Sequence, residues 1–173
     1  MATGSRQFTL VVAASNSVGR LQADFICDGV SDQITIQNAL DVLQEQGGGC
    51  LQLLEGTYWL DTQGIKPQGR QLRLLELDSD NIMLRGLGAA TCLCLDQAAL
   101  PQLVDLGCPV CQLLYVGGRN FQLLDLVLDG GCDAALQANL RAATQGSAAQ
   151  CLPMTCGLRL GMTAEDARLR NLI

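Results

Sequence analysis

The sequence predicts an all-β fold of short parallel strands, with one amphipathic α-helix on its N-terminal side. From residue 50 onward the chain consists of short aliphatic runs of strand length, nearly all bounded by glycine, asparagine or aspartate. Runs such as LLEL and LLDLVL are apolar on both faces, which is typical of strands buried in a parallel sheet. No Asn-Gly or similar two-residue hairpin signal joins any two runs, so antiparallel hairpins are not indicated.

A loose internal repeat extends this prediction to a short solenoid. The segments NIMLRGLG, NFQLLDLVLDG and DARLRNLI begin at Asn81, Asn120 and Asp166. Each has a polar residue, an aliphatic strand and a glycine or asparagine corner, and their spacing of roughly 40 residues fits one coil with insertions. A single coil cannot bury its apolar face alone, so coils are expected to stack on one another.

The first 49 residues are predicted to supply an entry strand and a capping helix. The segment 7–26 reads as a strand, QFTLVVAA, followed by a polar loop. A helix over 31–46 is indicated by a capping residue, Ser31 or Asp32, and by a stop at Gly47–Gly49. Its apolar positions follow the i, i+3, i+4, i+7 pattern and are Ile36, Ala39, Leu40 and Leu43. We expect this helix to cover the open end of the stacked strands.

The whole chain, 1–173, is interpreted as one domain. Solenoid coils are expected over 50–130, a lateral insertion rich in small and polar residues over 131–156, and a last partial coil over 157–173. The final run, ARLRNLI, reads as a strand that no second amphipathic helix follows. Either the chain is a fragment of a longer solenoid, or another subunit covers this edge, and we favour an obligate assembly.

The segment from 23 to 60 resembles the start of right-handed parallel β-helix proteins of the pectate-lyase-like superfamily. The family pattern is DG, D, an amphipathic helix, GGG, a strand and P-x-G-T-Y. Its positions are matched here by Asp28, Gly29, Asp32, Ala39, Gly47–Gly49, Gly56, Thr57 and Tyr58. Leu54 stands where the family often has proline, and NIMLRGLGAATCLCL resembles the next signature, with corners at Gly86 and Gly88. The resemblance covers most of residues 8–130 and implies a right-handed β-helix.

The charge balance excludes some partners. Net charge is −6, from 11 basic and 17 acidic residues, so a nucleic-acid backbone or an anionic membrane surface would be repelled. No apolar run reaches the roughly 18 residues of a membrane-spanning helix, and none reads as an export signal. The chain has no histidine, which removes the commonest general base.

Four carboxylates and two arginines are candidate catalytic residues. Asp125 and Asp129 could form a pair that cleaves glycosidic bonds, but along a strand they would lie about 13 Å apart, beyond the roughly 5 to 9.5 Å of glycosidases. Asp78 and Asp80 could bind calcium, although an ordinary polar loop is the favoured interpretation. Arg85 could contact acidic sugars or be a solvated ladder residue. The same alternatives apply to Arg119.

Nine cysteines suggest mostly reduced core residues rather than a disulfide framework. Cys108 and Cys111 have the C-x-x-C spacing of a zinc site, which Cys151 and Cys156 could complete. The second spacing is looser than usual, so packed structural cysteines are the favoured alternative and no cofactor is expected.

Three functions follow as expectations. The superfamily includes polysaccharide lyases, hydrolases and epimerases, phage tailspikes and other virion proteins, and surface adhesins, so its fold does not settle function. We favour a non-enzymatic structural protein of a phage particle, assembled in the host cytoplasm into an oligomer, with a trimer favoured. A lyase or hydrolase acting on acidic polysaccharide is the alternative, and an extracellular or cell-surface adhesin the third. A cell-surface polysaccharide is an expected partner in addition to other virion subunits.

Overall fold

The computed structural model describes residues 8–99, 102, 110–130 and 154–173, and within them the chain is a mixed α/β fold with parallel sheets. The N-terminal elements are β1 (Thr9–Ala13), β2 (Phe25–Ile26), α1 (Asp32–Glu45), β3 (Gly49–Leu53), β4 (Gly56–Leu60) and β5 (Gln71–Leu77). The later strands are β6 (Ile82–Arg85), β7 (Thr91–Leu95), β8 (Val110–Val116), β9 (Gln122–Asp129), β10 (Met154–Leu160) and β11 (Arg168–Leu172). Two short 3-10 turns span Arg20–Gln22 and Gly88–Ala90.

The named strands pair in parallel and form two sheets. The larger has eight strands in the order β2-β1-β3-β6-β9-β7-β4, with β11 also paired to β9. The smaller has the order β10-β8-β5. Strand β9 branches the larger sheet because its first half pairs with β6 and β11 and its second half with β7. The bend between the halves lies at Asp125, whose φ of 55° is left-handed.

The predicted fold class, an all-β right-handed parallel β-helix with a capping helix, is wrong. The strands form one branched sheet and one three-stranded sheet, and α1 is an integral layer that contacts β1 through β5. Its apolar residues belong to the same core cluster as the strands: Ile36, Ala39, Leu40 and Leu43. The strand runs and their parallel pairing were predicted correctly, since each run after residue 49 overlaps an observed strand and the named strands pair in parallel. The error was to treat the helix as an accessory to an all-β body.

Helix α1 agrees with the predicted range 31–46, but its N-terminal cap differs from the expectation. Ser31 is the capping residue with a left-handed φ of 51°, and its side chain makes no capping hydrogen bond. Its hydroxyl instead donates to Asp61 Oδ2 at 2.6 Å. At the other end the N–H of Gly48 donates to Leu43 O at 2.9 Å. A Cβ on Gly48 would lie 2.7 Å from Asn81 O, so this close approach requires glycine.

Polar side chains of α1 bind the outer edges of β4 and β5. Gln37 accepts from Glu76 N at 3.0 Å and donates to Glu76 O at 3.1 Å, as a neighbouring strand would. Gln33 likewise accepts from Asp61 N, just beyond β4. Asp32 accepts from Trp59 N at 2.9 Å. The helix therefore satisfies four backbone groups at these two edges.

The last three residues of the predicted insertion over 131–156 belong to a strand, and the rest of the prediction is untested. Strand β10 begins at Met154, and residues 131–153 lie outside the described residues. In the described part of the chain, no helix is long and apolar enough to cross a membrane.

Candidate functional site

The structure does not join Asp125 and Asp129 into one site. Asp125 accepts from Arg170 Nη2 at 3.1 Å and from Asn171 Nδ2 at 2.6 Å. These contacts, with the hydrogen bond from Asn171 the larger, hold the pKa of Asp125 below its ordinary value. Asp129 lies beyond the bend of β9, in register with Cys94 of β7. The two carboxylates therefore belong to different arms of the sheet.

Asp78 and Asp80 lie in the exposed turn after β5, where Asp80 Oδ1 accepts from the N–H of Arg119 at 2.8 Å. This bond fits the polar-loop interpretation. Arg119 is exposed, and Arg85 donates through Nε to Gln52 Oε1 at 2.7 Å on the outer face of the larger sheet. In the described residues, neither guanidinium forms an ion pair with Asp78 or Asp80.

The zinc hypothesis can be followed only at two of its four cysteines. Cys111 is buried in the core on β8, and its strand partner on β10 is Thr155. Cys156 is next to that position, and its thiol lies 3.0 Å from Leu158 O. Cys108 and Cys151 lie outside the described residues, so the four-ligand site stays a prediction. Among the residues that the structure describes, no three potential ligands from His, Cys, Asp and Glu are grouped to hold a metal.

Three of the other described cysteines are packed in the interior, and Cys92 is partly buried. Cys27, Cys50 and Cys94 are buried free thiols. Burial raises the pKa of Cys94 to about 12, with Asp129 adding to the effect. Burial also raises the pKa of the Cys27 and Cys50 thiols. Such thiols are protonated at neutral pH and poor nucleophiles, which argues against redox or nucleophilic roles.

One cleft gathers polar side chains that the sequence did not single out. It lies on the smaller sheet and has a volume of about 390 Å³. Its lining comes from β5, β8, β10 and the turn after β10 and consists of Gln71, Arg73, Tyr115, Arg159, Leu160, Gly161, Met162 and Thr163. Glu76, Tyr115 and Arg159 are in register across β5, β8 and β10. Sheet register thus places Glu76 and Arg159 on either side of the central tyrosine, whereas Arg73, which is in register with Gln112, reaches the Tyr115 ring through its side chain.

Tyr115 and Arg73 form the floor of this cleft. The Arg73 guanidinium carbon lies 3.4 Å from the centroid of the Tyr115 ring, a cation–π contact. A side chain on Gly161 would collide with the Tyr115 hydroxyl, and one on Gly117 would lie 3.3 Å from the ring. The two glycines therefore leave the room that Tyr115 occupies. Arg73 Nη1 is also 3.6 Å from Glu76 Oε2.

The second candidate surface is the outer edge of β10 and β11, which we call the open edge. In the described residues β10 pairs only with β8, and β11 only with β9. Leu169 is in register with Leu123, which is fully buried, yet Leu169 is 46% exposed. Leu160 is likewise in register with a fully buried residue, Val116, and is itself 45% exposed. These two rows of core side chains thus end in a leucine that is nearly half exposed, whereas Leu158 and Leu172 on the same strands pack against the core.

Sequence reasoning missed the cleft because its members lie in runs interpreted only as strands. Arg73 is in QLRLLEL, Tyr115 in QLLYVGG and Arg159 in GLRLG. An arginine inside an aliphatic strand is a usable signal, because such a charge must face outward or find a partner. The register that aligns three distant strands is not contained in any one of them.

Comparison of the chain with models of protein families, with curated proteins and with solved structures finds no match. The resemblance to the pectate-lyase-like superfamily therefore stays a prediction from the residues quoted above. The site geometry is left to carry the functional argument.

Proposed function

We propose that the protein is a non-enzymatic structural subunit of an oligomeric assembly, and that the open edge is its assembly surface. The observation that carries the proposal is the exposure of core-row leucines at this edge, in contrast to the buried leucines one strand further in. Outer parallel strands also offer N–H and C=O groups to an incoming strand. Each leucine that a partner fully covered would contribute about 1.5 to 3 kcal/mol.

The charges of the open edge indicate what kind of surface it meets. Its two strands carry Arg159, Arg168 and Arg170 and no acidic residue, although the chain as a whole has a net charge of −6. Two open edges facing each other would place like charges opposite one another, which is destabilising. A partner surface with carboxylates and apolar groups is favoured instead.

The opposite end of the same chain offers such a surface. Between residues 8 and 48 its exposed carboxylates are Asp24, Asp28, Asp41 and Glu45, and Arg20 is the basic residue. Exposed large apolar side chains of the same region are Phe8, Val18, Leu21, Ile26, Val30 and Ile34. A head-to-tail contact between copies would match both charge and apolar surface. Such contacts close into rings when the rotation permits, which is compatible with the predicted trimer.

Sedimentation velocity tests this proposal. At about tens of micromolar, the range in which exposed edges associate, the native chain is expected to form oligomers. Replacing Leu169 and Ile173 by lysine should convert them to monomers, because both side chains are exposed at the open edge. Leu87→Lys is the matched control, since Leu87 is 49% exposed but lies between β6 and β7. A native chain that stays monomeric, or a control that dissociates equally, would contradict the proposal.

The wider setting stays a prediction from the sequence. A phage particle is the expected assembly, with the virion as location, and a surface adhesin is the third expectation. For the lyase or hydrolase alternative, Asp125 and Asp129 occupy separate arms of the sheet and Asp80 binds a loop backbone. Release of products from acidic polysaccharides by purified protein would favour that enzyme class over a structural subunit.

A further inference from the structure

We propose that the cleft lined by Arg73, Tyr115 and Arg159 binds a small monocarboxylate that carries an apolar group. This inference goes beyond the assembly role, and it shares Arg159 and Leu160 with the open edge. In the described lining all the charged side chains are arginines, within a protein whose net charge is −6. A local excess of positive charge in an acidic protein attracts anions to that place.

The polar groups of the cleft are suited to an oxyanion. Arg73 keeps terminal N–H groups for a ligand, because its ion pair with Glu76 is long, at 3.6 Å, whereas its Nε is buried. Gln71 accepts from Gln112 Nε2 at 3.2 Å through its Oε1, which leaves its own amide N–H groups as donors. Arg159 supplies a second guanidinium. Arginine–carboxylate hydrogen bonds are among the strong ones in proteins.

The cleft is also largely preformed. Tyr115 lies under the Arg73 guanidinium at 3.4 Å, and the glycines at 117 and 161 leave space for its ring. A guanidinium that is already held over a ring loses less conformational freedom when it binds a ligand.

The charge count favours a carboxylate over a phosphate. Two arginines line the cleft, and the carboxylate of Glu76 lies beside one of them. Two arginines and one glutamate leave one net positive charge, which a ligand with a single negative charge would neutralise. A phosphate group carries about 1.5 to 2 negative charges, and its surplus negative charge would lie near the Glu76 carboxylate. Leu160 and Met162 line the cleft and are both exposed, so they would pack against the apolar part of the ligand.

Isothermal titration calorimetry with benzoate, benzamide and inorganic phosphate tests the proposal. Benzoate is expected to bind at least about 10-fold more tightly than benzamide, because benzamide lacks the charge that strengthens the hydrogen bonds. It should also bind more tightly than phosphate. Arg159→Gln should weaken benzoate binding by at least about 10-fold. Arg159 is exposed, so this variant should keep its fold, which thermal unfolding checks.

Arg85→Gln is the matched control, since Arg85 is an exposed arginine bonded to Gln52 on the other sheet. Its affinity for benzoate should equal that of the native protein. Equal binding of benzamide and benzoate, tighter binding of phosphate, or an Arg159→Gln variant with native affinity would each overturn the proposal. A loss of affinity in Arg85→Gln equal to that in Arg159→Gln would overturn it as well, because it would indicate a general charge effect.

Discussion

The two ends of this molecule differ in what covers the backbone N–H and C=O groups of their outermost strands. At the α1 end, helix side chains bond the outer backbone of β4 and β5, with Gln37 occupying both the N–H and the C=O of Glu76. At the open edge, β10 and β11 have no strand beyond them in the described residues. The difference shows that three side chains, Asp32, Gln33 and Gln37, replace part of a missing strand.

The two ends also differ in how well their leucine side chains are buried. Leu40 and Leu43 of α1 are buried against the strands, whereas Leu169 and Leu160 are nearly half exposed. The inward face of α1 is therefore covered within the chain. Among the described residues, these two leucines of the open edge are left nearly half exposed, and this difference supports the proposal that assembly takes place there.

The largest predicted loss of stability comes from removing a buried apolar side chain at the α1 end. Leu40→Ala is expected to lower the free energy of unfolding by about 2 to 5 kcal/mol, because Leu40 is buried in the shared core. Chemical denaturation measures it. Ile34→Ala on the same helix is the control, since Ile34 is 41% exposed. A loss below about 0.5 kcal/mol for Leu40→Ala, the range of surface changes, would show that α1 is not part of the core.

A smaller effect is expected from the polar contacts of the same helix. Gln37→Ala leaves Glu76 N and O without their partners and should cost about 1 to 3 kcal/mol. Gln44→Ala is the control, because Gln44 is an exposed glutamine of α1. If the two variants unfold at the same denaturant concentration, the hydrogen bonds from Gln37 to the edge of β5 do not contribute to stability.

Much of the local structure at both ends could be predicted from the sequence. The range of α1 and the position of nearly every strand followed from hydrophobic spacing and from glycine and asparagine punctuation. The two-residue strand β2 was missed, since Phe25 and Ile26 are too short a run to give a periodic signal. Ser31 is the capping residue, as predicted, but its hydroxyl bonds Asp61, a partner distant in sequence, instead of the helix backbone.

The fold class and the cleft could not be predicted in the same way. Both depend on how strands far apart in the chain align, as when Glu76, Tyr115 and Arg159 form one row. Hydrophobic periodicity predicts which face of a strand is buried, but it does not predict which other strand lies beside it. The role of Gln37 was hidden for the same reason, since its partner is on β5.

The smallest effect concerns titration, where a carboxylate near each end is expected to respond to pH with opposite sign. Burial raises the pKa of Asp32, although hydrogen bonds from Trp59 and Gly29 oppose this. Hydrogen bonds from Asn171 and Arg170 lower the pKa of Asp125. The ordinary value for both is 3.8.

The signs follow from linkage between protonation and folding. Because the folded-state pKa of Asp32 is raised, its contribution to stability is complete below 3.8 and is lost as pH rises through that folded-state pKa. The contribution of Asp125 is present above 3.8 and is lost as pH falls through its lowered pKa. Denaturation across this range should show that Asp32→Asn removes a decline on the alkaline side of 3.8, and Asp125→Asn a decline on the acid side. Two variants with the same pH dependence as the native protein would mean that the ends are electrostatically equivalent, and the contrast between them would then rest on packing and hydrogen bonding alone.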